Sequence, residues 1–212
     1  GRAIRTHGGV QCINHAIAAY SFEDGEKTNI DKKTAIARKA CSLLQDGDII
    51  FCDSGTTIRC FCVEMVEYIR RNDLRVTVYT NSLANLELLA PHMQVWLIGG
   101  QYRANRKDFC GYLSNKCLEG LIFDKCFIGA DGCIDGRRFT TTDFETASMN
   151  EIAIANSRCC IMLTDSSKFA ASAHVAYVEA ERLQYVITDS AIDPNTLKKL
   201  QSHGGQVICA AL

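Results

Sequence analysis

The sequence predicts an α/β domain built on a mostly parallel sheet flanked by helices on both faces. Two observations lead there. Short apolar, β-branched runs alternate with amphipathic helical stretches along most of the chain, the pattern of strands joined by helical crossovers. And most of the apolar runs end in a cluster of glycine and small polar residues, where a parallel sheet turns its strands into loops.

Taken in order, a helix is expected from Asp31 to Leu44, with Ile36, Ala40, Leu43 and Leu44 turned to the core. Asp46-Gly47-Asp48 turns the chain into a buried strand, Ile49-Ile50-Phe51-Cys52. Thr56 and Thr57 open a helix that runs to Arg70 through Phe61, Met65 and Ile69. Val76 to Tyr79 is the next strand, Ser82 to Leu89 a helix, and Val95 to Ile98 a third strand stopping at Gly99-Gly100. Lys125 to Ile128 is a strand, Thr146 to Ala155 a helix, Cys160 to Leu163 and Tyr185 to Thr188 two further strands. Asp193-Pro194 starts a last helix, with proline tolerated in its first turn, and Gln206 to Cys209 closes the sheet. Ala104 to Glu119 fits the alternation poorly and reads as a loop or small subdomain. With no repeat and no low-complexity linker, a single main domain is expected.

Bulk properties narrow the function. The chain has 212 residues, 47% hydrophobic and 22% charged, and a formal net charge of -1. That balance argues against this stretch holding a polyanion alone, because neutralising a nucleic-acid backbone takes clustered cations. No apolar run reaches membrane-spanning length and the first residues are no signal peptide, so no membrane role is expected. The 12 cysteines contain no C-x-x-C spacing and scatter through apolar segments. They read as small buried hydrophobes in a reducing cytoplasm, without disulfides, metal or cofactor. The chain opens on Gly-Arg and not on Met, and is read as part of a longer protein.

Open α/β sheets bind ligands beyond the carboxyl ends of their strands. Five polar clusters fall there: Asp53-Ser54-Gly55-Thr56-Thr57, Thr80-Asn81-Ser82, Gly99-Gly100-Gln101-Tyr102-Arg103, Gly129-Ala130-Asp131-Gly132 and Thr164-Asp165-Ser166-Ser167-Lys168. In the first, glycine lets the backbone approach an anion, while hydroxyls and helix-terminal N–H groups donate. A helix cap and tight turn would use the same residue types. The cluster lacks the lysine of a P-loop and the G-x-G-x-x-G of a dinucleotide site. Arg103 would add a cation. Asp143 and Glu145 precede a helix, where they either favour the positive end of its dipole or accept hydrogen bonds from sugar hydroxyls. Lys168 is either solvated or part of the site. Together the clusters suit a small, anionic, hydroxyl-rich ligand.

Lys33-x-x-Ile36-Ala37, Asp53 to Thr57, Thr80-Asn81-Ser82 and Ile98-Gly99-Gly100-x-Tyr102-Arg103 resemble the effector domain of DeoR-type transcriptional repressors. So do Phe123-Asp124-Lys125-x-Phe127-Ile128-Gly129, Thr141 to Glu145, and Asp165-Ser166-Ser167-Lys168-Phe169. The resemblance covers essentially the whole chain. It implies a fold similar to those of ribose-5-phosphate isomerase and CoA transferases, and a sugar-phosphate effector. By that likeness Ser54, Gly55, Thr56 and Thr57 cradle the phosphate, Asn81, Ser82 and Gly100 line the site, and Asp131, Asp143, Glu145 and Lys168 face the sugar. Arg5 to Val10 resembles the segment after the family's winged helix-turn-helix. Residues 1–20 are therefore expected to be a linker and 21–212 the sensing domain, acting on operator DNA through the preceding domain, as a homodimer or homotetramer.

The alternative is a sugar-phosphate isomerase of the same fold, with Glu145 as base and Lys168 as acid. The isomerase pattern resembles Gly-Ala-Asp-Glu followed by a Lys-Gly-Gly-Gly run. Here Gly129-Ala130-Asp131-Gly132 is followed by Arg137-Arg138-Phe139-Thr140-Thr141, without the glycine run. A binding module with no catalytic residue is the expectation.

Overall fold

Seven of the apolar runs become the strands of one parallel sheet in the computed structural model of the chain, which describes residues 3–6, 9–12, 21–203 and 205–212. In chain order the elements begin with β1 (Ala3–Thr6), β2 (Gly9–Cys12), α1 (Phe22–Lys27) and α2 (Ile30–Cys41). β3 (Ile49–Cys52), α3 (Thr56–Asn72), β4 (Thr77–Thr80), α4 (Leu83–Leu89) and β5 (Gln94–Leu97) follow. Next come β6 (Gln101–Arg103), β7 (Asp108–Cys110), α5 (Tyr112–Glu119), β8 (Phe123–Gly129), β9 (Gly132–Ile134), β10 (Arg138–Thr141) and α6 (Phe144–Ala155). β11 (Ser157–Leu163), β12 (Val175–Glu179), β13 (Tyr185–Asp189), α7 (Pro194–Ser202) and β14 (Gln206–Ala210) complete the chain.

The sheet order is β14-β13-β11-β8-β3-β4-β5, and every neighbouring pair is parallel. From β3 the chain steps outward through β4 to β5. It then returns to β8, on the other side of β3, and steps outward the opposite way. The strand order therefore reverses between β3 and β8, which is where a doubly wound sheet opens a crevice at its carboxyl edge.

Each face carries its own core. On one, α2, α3 and α4 bury Ile36, Phe61, Met65 and Leu89 against Ile50, Val78 and Phe127, and the Phe61 and Phe127 rings stack at 4.2 Å. On the other, α5, α6 and α7 bring Leu118, Met149 and Leu200 onto Phe51, Phe123 and Ile128. The buried stripe of α2 is Lys33, Ile36, Ala37, Ala40 and Cys41, spacings of three and four that put all five on one helix face.

Three features differ from the sequence reading. α2 ends at Cys41 and not at Leu44, because Leu43 and Leu44 donate to Ala40 and Cys41 three residues back, a tightened turn that still carries Leu44 into the core. Ala104 to Glu119 resolves into part of the β6–β7 antiparallel hairpin and the helix α5. A three-stranded antiparallel sheet, β12-β10-β9, covers part of the second face. Its β9–β10 turn puts Asp135 at φ 54° and Gly136 at φ 66°, both in the left-handed region that a type I′ hairpin turn demands. Within the stretch read as a linker, β1 pairs antiparallel with β2 and with no other described strand. No helix among the described residues is long and apolar enough to cross a membrane.

Candidate functional site

A cavity of about 170 Å³ opens at the β3/β8 reversal. Its wall comes from the loop after β3 (Asp53 to Thr57), the end of β8 (Gly129, Ala130, Asp131) and the turn after β11 (Asp165, Ser167, Lys168). The α1–α2 elbow (Gly25, Thr28, Asn29, Lys33), Arg106, Thr141 and Thr146 close it. The volume is below the roughly 300–1,000 Å³ of drug-sized pockets and has room only for a small molecule.

The loop after β3 is fixed by its own side chains and leaves backbone donors open. Ser54 N–H donates to Asp53 Oδ1 at 2.7 Å and Ser54 Oγ donates to the buried Asp108 carboxylate at 2.8 Å, which fixes the loop. The amides of Gly55, Thr56 and Thr57, by contrast, find no acceptor among the described residues, and no side chain caps the start of α3. These are the donors that a helix N-terminus leaves open, and its dipole favours negative charge there. A Cβ on Gly55 would lie 3.7 Å from Asp53 Oδ2, and one on Gly129 3.8 Å from the same atom. Both are ordinary contacts, and φ at Gly55 is −63°. Neither the backbone nor the packing of the protein itself requires glycine at these two facing positions.

Beside this loop stands Lys33, 3% exposed on the buried stripe of α2. Its Nζ donates to Gly25 O at 2.6 Å and to Thr56 Oγ1 at 3.1 Å, and no described carboxylate lies within ion-pair distance. Burial lowers its pKa, the Asp165 charge opposing that in part. Lys168 is a second wall cation without an ion pair among the described residues. Arg106 forms an ion pair with Asp143 at 2.8 Å and hydrogen-bonds Thr142.

Three carboxylates share the wall. Burial pushes the pKa of Asp53 up, against the Ser54 and Gly129 amides that donate to it. Asp131 Oδ2 accepts from Thr141 Oγ1, Thr142 N and Thr142 Oγ1 at 3.0–3.2 Å. Asp165 Oδ1 accepts from Asn29 Nδ2 at 3.1 Å and Ser167 N at 3.0 Å. The other oxygen of each of these two has no protein donor among the described residues, so each offers an oriented acceptor to the cavity.

Of the residues assigned to the site from sequence, Asp53, Ser54, Gly55, Thr56, Thr57, Asp131 and Lys168 meet in this wall, joined by Gly129, Ala130, Asp165 and Ser167 from the same strand-end clusters and by Thr141. Thr80, Asn81, Ser82, Gly99, Gly100, Arg103, Asp143 and Glu145 stand outside it. Thr80 is fully buried, with its hydroxyl accepting from Ser82 N–H at 3.1 Å. Asn81 Nδ2 donates to Phe109 O at 3.0 Å, and Ser82 Oγ caps α4 at Asn85 N. Asn85 Nδ2 in turn donates to Asp53 O at 3.1 Å, so this stretch supports the β3 loop from behind. Gly99 O accepts from Ser114 Oγ, and a Cβ on Gly100 would lie 2.1 Å from that same oxygen. Here the glycine is a packing requirement.

Arg103 bridges Asp108, at 2.7 and 2.8 Å, and Asp143, at 2.8 Å. Asp143 caps α6 at Thr146 N. Burial works against ionisation of Asp143, but the Thr146 amide and the Arg106 and Arg103 guanidiniums hold its pKa below the usual carboxylate value. Glu145 is exposed and outside the wall. Lys33, Arg106 and the α1–α2 elbow were not among the candidates. Only Lys33 had a local signal, its place on the periodic apolar stripe.

Fold and cavity together define an α/β domain with a small polar cavity at the switch point of a doubly wound sheet. A family model of the DeoR C-terminal sensor domain matches residues 28–190. The lactose phosphotransferase system repressor of Staphylococcus epidermidis is 31% identical over 209 residues, covering 96% of this chain and 80% of that protein. The repressor of the same name from Lactococcus lactis is 31% identical over 212 residues, covering 96% and 79%. The HTH-type transcriptional regulator GlpR of Haloferax volcanii is 25% identical over 204 residues, covering 96% and 78%. The chain belongs to the DeoR family, as its C-terminal sensor domain. A ribose 5-phosphate isomerase from Methanocaldococcus jannaschii superposes with a TM-score of 0.50 at 21% identity, over 67% of this chain and 55% of that one. That likeness is one of fold alone.

Proposed function

We propose that residues 21–212 sense a small phosphorylated sugar and transmit its presence to a DNA-binding domain that residues 1–20 link to them. The observation that carries the ligand class is the pairing, in one cavity, of an anion seat with hydroxyl acceptors. Three amides without an acceptor among the described residues, the start of α3 and the Lys33 ammonium, without an ion pair among them, suit a phosphate, while Asp131 and Asp165 suit hydroxyl donors. The relatives support the regulatory half: two are named repressors of a lactose phosphotransferase system and one an HTH-type regulator, and each is longer than the part matched here. The control is linkage. A ligand that prefers one arrangement of the sensing domains shifts the population of the attached domains and hence operator affinity.

The protein works in the cytoplasm, where its cysteines stay reduced, and as a symmetric oligomer able to read paired half-sites. An isomerase reading would put Glu145 and Lys168 across the sugar, but Glu145 is exposed and outside the wall. Calorimetric titration of the chain with a panel of sugar phosphates, their dephosphorylated sugars and inorganic sulfate tests the proposal. One sugar phosphate should bind well, its sugar very weakly. Equal binding of sugar and sugar phosphate would refute it.

A further inference from the structure

One short helix stands between the cavity and the segment that precedes the sensing domain. Residues 1–20 run into Ser21, whose Oγ caps α1 at Asp24 N, and α1 leads through the Thr28-Asn29 elbow into α2. α1 lies against the anion seat. A Cβ on Gly25 would stand 3.1 Å from Thr56 Cγ2, so glycine is what allows the approach. Lys33 ties the two together, because its Nζ donates to Gly25 O of α1 at 2.6 Å and to Thr56 Oγ1 of the seat at 3.1 Å. At the elbow, Asn29 adopts φ 55° and its Nδ2 donates to Asp165 Oδ1 at 3.1 Å and to Ser167 Oγ at 3.2 Å. The elbow is therefore bonded to both halves of the cavity wall, the one suited to phosphate and the one suited to hydroxyls.

Elsewhere α1 is weakly held. It has six residues, well short of the roughly 12–15 at which an isolated helix is even marginal, so tertiary contacts keep it in place. Phe22 is its only buried side chain. Phe22 N–H donates to Asn105 O at 3.0 Å. The ion pairs Lys107–Glu23, at 3.3 Å, and Arg59–Glu26, at 3.7 Å, join partly exposed side chains and contribute little. The face of α1 that carries Phe22 and Glu26 borders a second cavity, of about 340 Å³, shared with α4 and the β6–β7 hairpin. α1 is close-packed where it meets the seat and has open space beside it.

We propose that α1 reports occupancy of the cavity: an anion held at the start of α3 locks Lys33, Lys33 locks α1, and α1 fixes the point from which residues 1–20 leave the domain. The inference rests on the phosphate reading and adds the path by which that site acts. An ammonium has three donors. Gly25 O and Thr56 Oγ1 take two, and the third is left for an anion in the cavity that Lys33 lines. An anion there gives Lys33 a counter-ion and so favours the arrangement that keeps Gly25 O beside the ammonium over one in which α1 has swung away. The coupling runs through local order. A ligand that binds better with α1 docked raises the docked population, and docking raises affinity by the same factor.

The test is hydrogen exchange of the whole 212-residue chain with inorganic sulfate as the probe, beside calorimetry of the same titration. The Gly25 and Thr28 amides, bonded to Ser21 O and Gly25 O, report α1. The Leu197 amide in α7, a helix that also buries a single side chain and so opens locally, is the control. If sulfate binds only with α1 docked, then at about ten times its dissociation constant Gly25 and Thr28 should exchange roughly ten-fold more slowly, and Leu197 as before. Phe22→Ala, outside the cavity wall, removes the one buried anchor of α1. With α1 docked in about a tenth of the molecules, sulfate affinity should fall on the order of ten-fold, whereas a merely structural α1 would leave it unchanged.

Sulfate that binds without slowing Gly25 and Thr28 beyond Leu197 overturns the relay and leaves the ligand reading in place. So does a Phe22→Ala chain, folded by circular dichroism, that binds sulfate like the parent. Should Phe22→Ala fail to fold, exchange in the parent decides alone. If neither sulfate nor any sugar phosphate binds, the relay and the ligand reading fall together.

Discussion

Replacing Lys33 by Met separates binding from folding. The side chain keeps its length and loses its charge. In the parent, Lys33 is 3% exposed and its ammonium is bonded, among the described residues, only to Gly25 O and Thr56 Oγ1. Hydrogen bonds to a charged group stabilise by about 1.5–3 kcal/mol, but burying an ion without a counter-ion costs several kcal/mol. The two effects oppose each other, and the oxygens left behind border a cavity that water can enter. Lys33→Met should therefore melt no lower than the parent, within about 1 kcal/mol.

Anion binding should suffer, by about 1.5–3 kcal/mol or roughly 10- to 150-fold in affinity, the worth of a charge-assisted bond. pH supplies a second axis. Burial lowers the Lys33 pKa, and a basic group depressed in the folded state contributes stability above its unfolded value of 10.5, lost as pH falls through the folded value. Against Lys33→Met, the parent should therefore gain stability as pH rises across that interval. Its affinity for sulfate, whose charge is constant there, should fall over the same interval as the ammonium deprotonates. Calorimetry with sulfate and the active sugar phosphate, beside thermal melts, reads both. A folded Lys33→Met that binds sulfate like the parent, or loses affinity with pH just as the parent does, would refute the reasoning.

Gly55→Val should fold, since a Cβ there meets nothing closer than 3.7 Å, yet lose phosphate binding because the branched side chain blocks approach to the amides; a folded variant binding like the parent would move the site elsewhere. Asp131→Asn should weaken the sugar phosphate while sparing sulfate, whereas Glu145→Gln, exposed and outside the wall, should change neither; calorimetry with the two ligands distinguishes them. Asp108→Ala should cost about 1.5–3 kcal/mol in denaturant unfolding, because Arg103 keeps only its Asp143 and Thr146 partners and Ser54 Oγ loses the buried carboxylate that accepts from it. Unfolding of that variant at the parent's midpoint would show the pair to be expendable.

What the sequence disclosed, and what it hid, follows the range of the interactions involved. β3, β8, β11 and β13 are buried on both faces, so their continuous apolar runs announce them, and the polar residues that end β3, β8 and β11 mark the sheet edge that holds the cavity. β9, β10 and β12 are three to five residues long, too short to show a period, and β10 finds β12 only across more than thirty residues of intervening chain. The Asp135-Gly136 pair between the first two is a hairpin signal that the sequence carries.

The site divides the same way. Motif clusters gave the residues that a strand end delivers directly. They could not separate those facing the cavity from those behind it, since Thr80, Asn81 and Ser82 have the same chemistry as Ser54, Thr56 and Thr57. Which set faces the ligand depends on β3, not β4, lying at the reversal of strand order, a property of sheet topology. Arg106 was beyond reach for another reason: its partner Asp143 is 37 positions away, and only the folded β6–β7 hairpin brings the two together. Lys33 differs from both. A lysine three residues before Ile36 and four before Ala37 occupies the buried stripe of its helix, and a cation placed there needs an anion. The chain offers Lys33 no ion pair among its described residues, and the proposed phosphate would be its counter-ion.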